Sequence, residues 1–367
     1  MTARLPHPSA GEPRDAPPPP PQKWGEGLPP DLVYPWDPPE KRPVRPRRRP
    51  PLLRVALLLL AALALVGGVR AAMFMRAVST EPLWGAHFAP LGGAEQANVL
   101  ILGYGGEGHQ GAYLTDSLLL LHSDFAAGKT AQVSIPRDLW VQIPPDSGRY
   151  AKINSAYAYG RGEAGDPIAG GRLATTKVGQ VTGLPTDRWV TIDFRGFRAL
   201  VDALGGVEID VERAFTAQYP ANDDPAIDPS WITVSFEAGR QRMDGETAIR
   251  YARARYSDDP IEGSDFARSQ RQQRLVAAIS ATLKRPTAWP RAFAVMDALQ
   301  PALRTNLAAA DLLILFLRAD TSGATRIRLD DGNVLVNDMS DDGQAILVPR
   351  DDDYDLIVRY VREQIDQ

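Results

Sequence analysis

Asn98-Val-Leu-Ile-Leu-Gly-Tyr-Gly-Gly-Glu-Gly-His-Gln-Gly-Ala-Tyr-Leu-Thr-Asp-Ser-Leu-Leu-Leu-Leu121 holds two short apolar runs around a glycine-rich loop. Runs of that length, bounded by glycine and polar residues, predict strands buried in a sheet. The glycines over 103–108 match a dinucleotide-binding spacing, and Asp124 stands about where a ribose-binding acid belongs. Only eight residues separate Gly108 from Ser117, however, too few for the crossover helix such a site requires. The loop is therefore expected to lie flexibly over a site of another kind.

Outward from this stretch, residues 130–135, 189–194 and 207–211 read as further buried strands, and 171–181 and 196–204 as helices. Gly205-Gly206 closes the second helix as a C-cap should. Residues 268–283, 308–317 and 354–365 are also expected to be helical. Strands alternating with helices predict a layered α/β domain.

The chain begins differently. Seventeen of its 32 prolines fall in residues 1–51. Proline removes backbone donors and fixes φ, so this tail is expected to be a disordered, partly polyproline-II arm, or a ligand for a proline-binding module. Lys41-Arg42 and the cluster Arg45, Arg47, Arg48 and Arg49 follow, and then an apolar run over 52–69 broken only by Arg54. About 1.5 Å per residue makes that run roughly 27 Å long, near the thickness of a bilayer core, and Arg54 can snorkel to the headgroups. The expectation is one transmembrane anchor over 52–75, with the basic side cytoplasmic and everything after about residue 75 outside. A cleaved signal peptide, cut near Val69-Arg70-Ala71, is the rival that the long preceding tail disfavours.

Composition excludes several chemistries. There is no cysteine, hence no disulfide, thiolate metal site or cysteine nucleophile. The net charge of −4 carries no general attraction to nucleic acid. Walker A, HExxH, GxSxG and SxxK patterns are missing from the sequence.

The charged residues that remain converge on an anion. In Tyr251-Ala-Arg-Ala-Arg-Tyr256, an extended backbone would point Arg253 and Arg255 to one face. Asp265, Arg268 and Gln272 fall on one stripe if 265–272 is helical, with Arg271 and Arg274 nearby. Guanidinium forks match phosphate oxygens bidentately, which is the usual reason for such clusters. Ser134-Ile-Pro-Arg-Asp138 ends a predicted strand, placing Arg137 and Asp138 where α/β sheets bind ligands. Lys152 precedes a predicted helix start. Asp116 beside several arginines suits Mg²⁺, which bridges phosphates through one or two carboxylates.

In this order the motifs resemble the LytR-CpsA-Psr family of cell-envelope glycan transferases, from about Asn98 to Ile279. They are Leu114-Thr-Asp-Ser117, Ser134-Ile-Pro-Arg-Asp138, Lys152-Ile-Asn-Ser-Ala-Tyr157, Asp193-Phe-Arg-Gly-Phe197, Val201-Asp-Ala-Leu-Gly-Gly-Val207, Tyr251-Ala-Arg-Ala-Arg255 and Asp265-Phe-Ala-Arg-Ser-Gln-Arg-Gln-Gln273. The resemblance implies a three-layer α/β/α domain around a mixed sheet, with an apolar pocket for a polyprenyl chain. It implies a phosphotransferase that passes a glycan from a polyprenyl-pyrophosphate carrier to a cell-wall acceptor, with the membrane and no nucleic acid as partner. By that likeness Arg137, Lys152, Arg253, Arg255, Arg268 and Gln272 grip the pyrophosphate and Asp116 holds Mg²⁺. Asp265 and Asp138 orient an arginine or the nucleophile. Two positions depart from the family pattern. Gly105 stands where many members carry an acid, and Leu114-Thr115 where many carry arginine before the Ser-Asp pair. Glu107 and His109 are the loop residues that could substitute.

The expected organisation is a tail over 1–51, an anchor over 52–75, a linker over 76–95, a catalytic domain over 96–285 and a C-terminal α/β extension over 286–367. A polyprenyl-pyrophosphate hydrolase and a non-catalytic lipid-binding or regulatory envelope protein remain as alternative functions.

Overall fold

The computed structural model describes residues 51–367 except Pro225, Ile227, Asp258 and Asp331. The proline-rich arm and its basic cluster therefore lie outside the described residues, save Pro51, which opens the first helix. That helix, α1 (Pro51–Val78), is long and apolar enough by length and composition to cross a membrane. It runs three residues beyond the expected anchor. Its 28 residues extend about 42 Å at 1.5 Å per residue. The described chain divides after Leu58, and every other element belongs to the body from Leu59 onward.

A six-stranded mixed sheet organises that body. Its strands are β1 (Gln96–Tyr104), β2 (Thr115–Asp124), β3 (Lys129–Ile135), β4 (Arg188–Asp193), β5 (Leu303–Thr305) and β6 (Thr325–Arg328), in the spatial order β5-β4-β1-β2-β3-β6. The opening stretch of sequence forms β1 and β2, which pair antiparallel with Leu100 opposite Leu120. β4 runs parallel to β1, and β6 parallel to β3. The region after residue 286 thus supplies both edge strands. The run at Val207–Val211 is a strand as expected, but it pairs with Gly239–Met243 in a separate ribbon. A small three-stranded sheet, Tyr256–Ser257, Phe215–Pro220 and Trp231–Phe236, stands beside it.

The remaining helices are α2 (Ser155–Arg161), α3 (Pro167–Thr182), α4 (Phe194–Ala203), α5 (Gly245–Arg253), α6 (Asp265–Lys284), α7 (Ala292–Leu299), α8 (Ala309–Arg318) and α9 (Tyr354–Asp366). Side chains alternate across a strand, so each strand of the sheet serves two layers. Leu100, Leu102, Leu118, Leu120 and Val133 pack with Ala174 and Val178 of α3 and with Ile357 and Val361 of α9. On the other face Ala97 and Val99 meet Ile314 of α8, and Ser117 hydrogen-bonds Gln272 of α6. This is the expected three-layer arrangement. α3 begins at Pro167, ahead of the expected 171, because Asp166 caps its N-terminus and Pro167 suits the first turn; Gly183 ends it with φ +70°. Gly171 lets α3 approach the sheet, because a Cβ there would lie 2.2 Å from the indole of Trp189.

Besides hydrogen bonds from Ser79 and Thr80 to the carbonyls of Leu307 and Thr305, a buried carboxylate holds the segment after α1. Asp311, fully buried on α8, accepts from the amides of His87 (2.7 Å) and Phe88 (3.1 Å) and meets His87 Nδ1 at 2.6 Å. Burial alone would raise its pKa. The His87 side-chain and amide hydrogen bonds and the Phe88 amide outweigh that and hold it below the ordinary 3.8. A depressed carboxylate pKa adds stability above the unfolded value, and the contribution is lost as pH falls through the lower folded value. Asp311→Asn is therefore expected to destabilise the protein by roughly 2–3 kcal/mol at neutral pH. The difference from the parent should narrow once pH drops below 3.8. Urea melts across that range check both points, and an unchanged midpoint at neutral pH would remove Asp311 from this role.

Candidate active site

Strand polarity gathers the predicted residues. β1 and β4 are parallel, and β2 separates β1 from the codirectional β3 by two antiparallel steps. The carboxyl ends of β1, β3 and β4 therefore open on one edge, where β2 begins. Gly105 follows β1, Arg137 and Asp138 follow β3, Phe194 follows β4, and Asp116 is the second residue of β2. This is the edge at which open α/β sheets bind ligands. Lys152 arrives on the short strand Tyr150–Lys152, paired with Trp140–Gln142.

Arg253 and Arg255 reach the same place by a different route from the one expected. The segment is not extended: α5 runs through Arg253, and Ala254, at φ −53° and ψ 127°, breaks the helix. Arg253 is thus the last helical residue and Arg255 the first beyond the cap, and both line the same cavity. The second stripe is helical as expected. Ser264 caps α6, accepting from the Ala267 amide, and Asp265, Arg268 and Gln272 face the site from its first two turns.

Carboxylates hold the cations in place. Asp265 bridges two of them, Oδ1 to Arg255 Nη2 at 2.9 Å and Oδ2 to Arg268 Nη2 at 2.7 Å. Asp116 accepts from Arg137 Nη1 at 2.5 Å, and its other oxygen lies 4.0 Å from Arg253 Nε. Asp138 pairs with Lys152 Nζ at 2.9 Å and with Arg137 Nε at 3.6 Å. Burial works to raise the Asp138 pKa, but the Lys152 hydrogen bond and the charge of Arg137 override it and hold the carboxyl below the usual range. Arg268 is only 5% exposed. Burial first, and then the like charges of Arg255 and Arg137 against the favourable Asp265, push its pKa down to about 10. It stays charged at neutral pH in a setting that favours an added anion. The Nε atoms of Arg137 and Arg268 are buried without a hydrogen-bond partner. Such donors cost roughly 1–3 kcal/mol each when left unsatisfied.

Two cavities meet at this cluster and share Asp116, Arg137 and Arg253. The first, of about 160 Å³, carries Arg255, Arg268 and Gln272 and opens between Tyr219, Trp231 and Tyr256 of the small sheet. The second, of about 420 Å³, carries Asp138 and Lys152 and runs under the glycine loop to Gly105 and His109. Of the two loop residues that could substitute for a first-loop acid, His109 lines this cavity, 3.8 Å from Asp224. Glu107 faces away, near the hydroxyl of Tyr113 at 3.4 Å. No group of three His, Asp or Glu side chains poised to cage a metal occurs among the described residues. Asp116 lines both cavities, and a single carboxylate is compatible with Mg²⁺, which commonly fills the rest of its shell from substrate phosphate and water.

Several residues of the site had no signal in the sequence. Asp223 accepts from Arg253 Nη1 at 3.2 Å, and the Tyr219 hydroxyl lies 2.7 Å from the same nitrogen. Arg253 also stacks 4.1 Å over the ring of Phe194. A third cavity of about 330 Å³ separates Asp138, Arg255 and Asp265 from the C-terminal hairpin Leu335–Met339/Ala345–Pro349. That hairpin grips the active edge, with the Leu347 amide donating to the Asp138 carbonyl at 3.0 Å. Only Phe194, inside Asp193-Phe-Arg-Gly-Phe197, was part of a quoted motif.

The geometry makes a ligand-level prediction. Inorganic pyrophosphate at about 100 times its Kd should stabilise the protein by roughly 2.7 kcal/mol, read as a rise in Tm. Arg255→Ala and Arg268→Ala should remove most of that rise. An equal rise in both variants would show that the anion binds elsewhere.

Comparison with known proteins agrees with this architecture. The chain is 30% identical over 187 residues to the polyisoprenyl-teichoic acid–peptidoglycan teichoic acid transferase TagV of Bacillus subtilis, covering 50% of this chain and 42% of that one. It is 32% identical over 184 residues to the regulatory protein MsrR of Staphylococcus aureus (strain Mu50), covering 50% and 47%. It thus spans about half the length of the curated relatives it matches. The crystal structure of B. subtilis TagV superposes with a TM-score of 0.56 at 21% identity, over 74% of this chain and 98% of that one, which establishes the shared fold. The model of the LytR_cpsA_psr family matches residues 80–357, most of the chain and every motif of the site, and the protein belongs to that family.

Proposed function

We propose that this protein is a membrane-anchored phosphotransferase that moves a glycopolymer from a polyprenyl-pyrophosphate carrier to a peptidoglycan acceptor outside the membrane. One observation carries the reading. Five cations, Arg137, Lys152, Arg253, Arg255 and Arg268, surround two joined cavities, and one cavity opens on an aromatic mouth while the other runs under a loop. A diphosphate with a lipid on one side and a sugar on the other has that same polarity. TagV, by its name, acts on a polyisoprenyl-linked teichoic acid and on peptidoglycan, which supports the same class of donor and acceptor here. The basic cluster before α1 favours a cytoplasmic N-terminus and an external domain.

In the proposed reaction an acceptor hydroxyl oxygen attacks the glycan-proximal phosphorus. A new P–O bond forms as the bond to the bridging oxygen breaks, and polyprenyl phosphate departs with that oxygen. The hydroxyl proton passes to water or to the departing phosphate. Arg137 and Arg253, common to both cavities, would hold the bridging region, and Arg255, Arg268 and Gln272 the lipid-side phosphate. Asp265 keeps two of these arginines in register. Asp138, an anion of low basicity tied to Lys152, orients rather than deprotonates. Phosphoryl transfer tolerates this, because placement and charge stabilisation supply most of its catalysis. Asp116 would hold Mg²⁺ together with pyrophosphate oxygens, and the ion would offset charge on the leaving phosphate.

The test uses the full chain in lipid nanodiscs with a polyprenyl-pyrophosphate glycan and peptidoglycan fragments. Mg²⁺-dependent release of polyprenyl phosphate, with glycan joined to the fragments, is expected. Arg255→Ala should slow it by about 10²–10³-fold without changing the melting curve. Glycan released free would assign a hydrolase. Tight lipid binding with no release would assign a binding or regulatory protein.

A further inference from the structure

Across the glycine loop from the anion site lies another polar cavity, of about 330 Å³, lined by Arg161, Arg195, Arg304, Tyr113, Glu107 and Asp193 among others. Its charge is not balanced from within. Asp193 is committed to capping α4, accepting from the Gly196 amide at 2.7 Å, and lies 3.8 Å from Arg195. Glu107 has the Tyr113 hydroxyl at 3.4 Å. Arg161 lies 3.9 Å over the Tyr113 ring, and its buried Nε has no hydrogen-bond partner. Arg304 donates only to the backbone carbonyls of Gln300 (3.0 Å) and Leu303 (2.6 Å). Among the described residues, then, neither Arg161 nor Arg304 is paired with a carboxylate. Guanidinium groups in that state, beside an aromatic platform, suit a planar oxyanion carried on a larger polar molecule.

The position of the cavity says which molecule. Gly105 lines the anion site and Gly106 lines this cavity; Phe194 lines the former, Asp193 and Arg195 the latter. A Cβ on Gly106 would meet Asp193 Cβ at 3.0 Å, so the partition is a single chain thick. Along the edge of the sheet the order is aromatic mouth, anion site, glycine loop, arginine cavity. In an in-line displacement the nucleophile enters opposite the leaving group. With lipid phosphate leaving toward the aromatic mouth, the nucleophile comes from the side of the loop.

We propose that this cavity is the acceptor subsite and that it recognises a carboxylate on a peptidoglycan strand through Arg161, Arg195 and Arg304. The proposal rests on the transfer reading above. It has a binding readout of its own. The full chain in nanodiscs is titrated with a disaccharide muropeptide, with neutral N,N′-diacetylchitobiose, and with a glycerol-phosphate oligomer as a donor-like polyanion. Muropeptide binding that weakens at least tenfold in Arg195→Glu and in Arg304→Gln, with chitobiose binding far more weakly, is the expected result. Pyrophosphate binding, measured by thermal shift, should be unchanged in these two variants. Arg255→Ala should lose pyrophosphate binding and keep muropeptide binding. Muropeptide affinity indifferent to both substitutions would overturn the proposal, as would preferential, Arg304-dependent binding of the glycerol-phosphate oligomer. If muropeptide binds as expected while no polyprenyl phosphate is released, the subsite stands and the transfer reading falls.

Discussion

Like charges packed at one edge of a sheet repel, and the fold around this site is arranged to contain that repulsion. Arg137, Arg253, Arg255, Arg268 and Lys152 line two joined cavities, where water screens their charges poorly. Each is held by a carboxylate, and for all but Arg268 it comes from another segment: Asp116 from the start of β2, Asp138 after β3, Asp223 from the loop between two strands of the small sheet, and Asp265 from the first turn of α6, which also holds Arg268 three residues on. The cations are thus fixed before any ligand arrives. The proposed diphosphate would exchange carboxylate partners for phosphate oxygens with little reorganisation, which is the condition for electrostatic stabilisation to act on a transition state.

This containment explains elements that line neither of the two joined cavities. Arg271 is buried, pairs with Glu262 at 2.8 Å, donates to the Ala254 carbonyl and stacks 4.9 Å from the Phe215 ring. It secures the short connection that carries Arg255 between α5 and α6. The C-terminal hairpin does the same for the β3 turn through Leu347 and Asp138. Removing either support would leave the arginines present and misplaced, and misplacement of about 1 Å is enough to cost a large factor in rate.

Much of the fold was legible because it depends on local pattern. The apolar runs of β1 and β2 form largely buried strands as expected, whereas α3 and α6 begin earlier than the expected 171 and 268, at Pro167 and Asp265, because Asp166 and Ser264 cap them. The stripe of Asp265, Arg268 and Gln272 was visible for the same reason. The alternation of Arg253 and Arg255 was right in consequence and wrong in cause. The Asp244 cap, Glu246 in the first turn and the helix-favouring alanines and arginines carry α5 through Arg253, and the helix terminus at Ala254 brings both arginines to one cavity. Asp223, Tyr219 and the hairpin were invisible because nothing local distinguishes them. They reach the site through pairings far apart in the chain, such as Arg253 with Asp223 and Tyr219.

Gly105, the loop position where the sequence resemblance leads one to expect an acid, has a physical role of its own. A first-loop carboxylate at position 105 would add negative charge to a cavity that already contains Asp116, Asp138, Asp223 and Asp224. A Cβ on Gly105 would also press on the ring of His109 at 3.0 Å. The chain instead lets His109 fold under the loop beside Asp224 and edge-on to Phe194, with ring centroids 5.6 Å apart. The Phe194 ring is the surface on which Arg253 rests at 4.1 Å. The loop therefore acts on the anion site through an aromatic contact and a cation–π stack rather than through a charge. Its glycines keep it thin enough for the polar cavities on its two sides to lie one backbone apart.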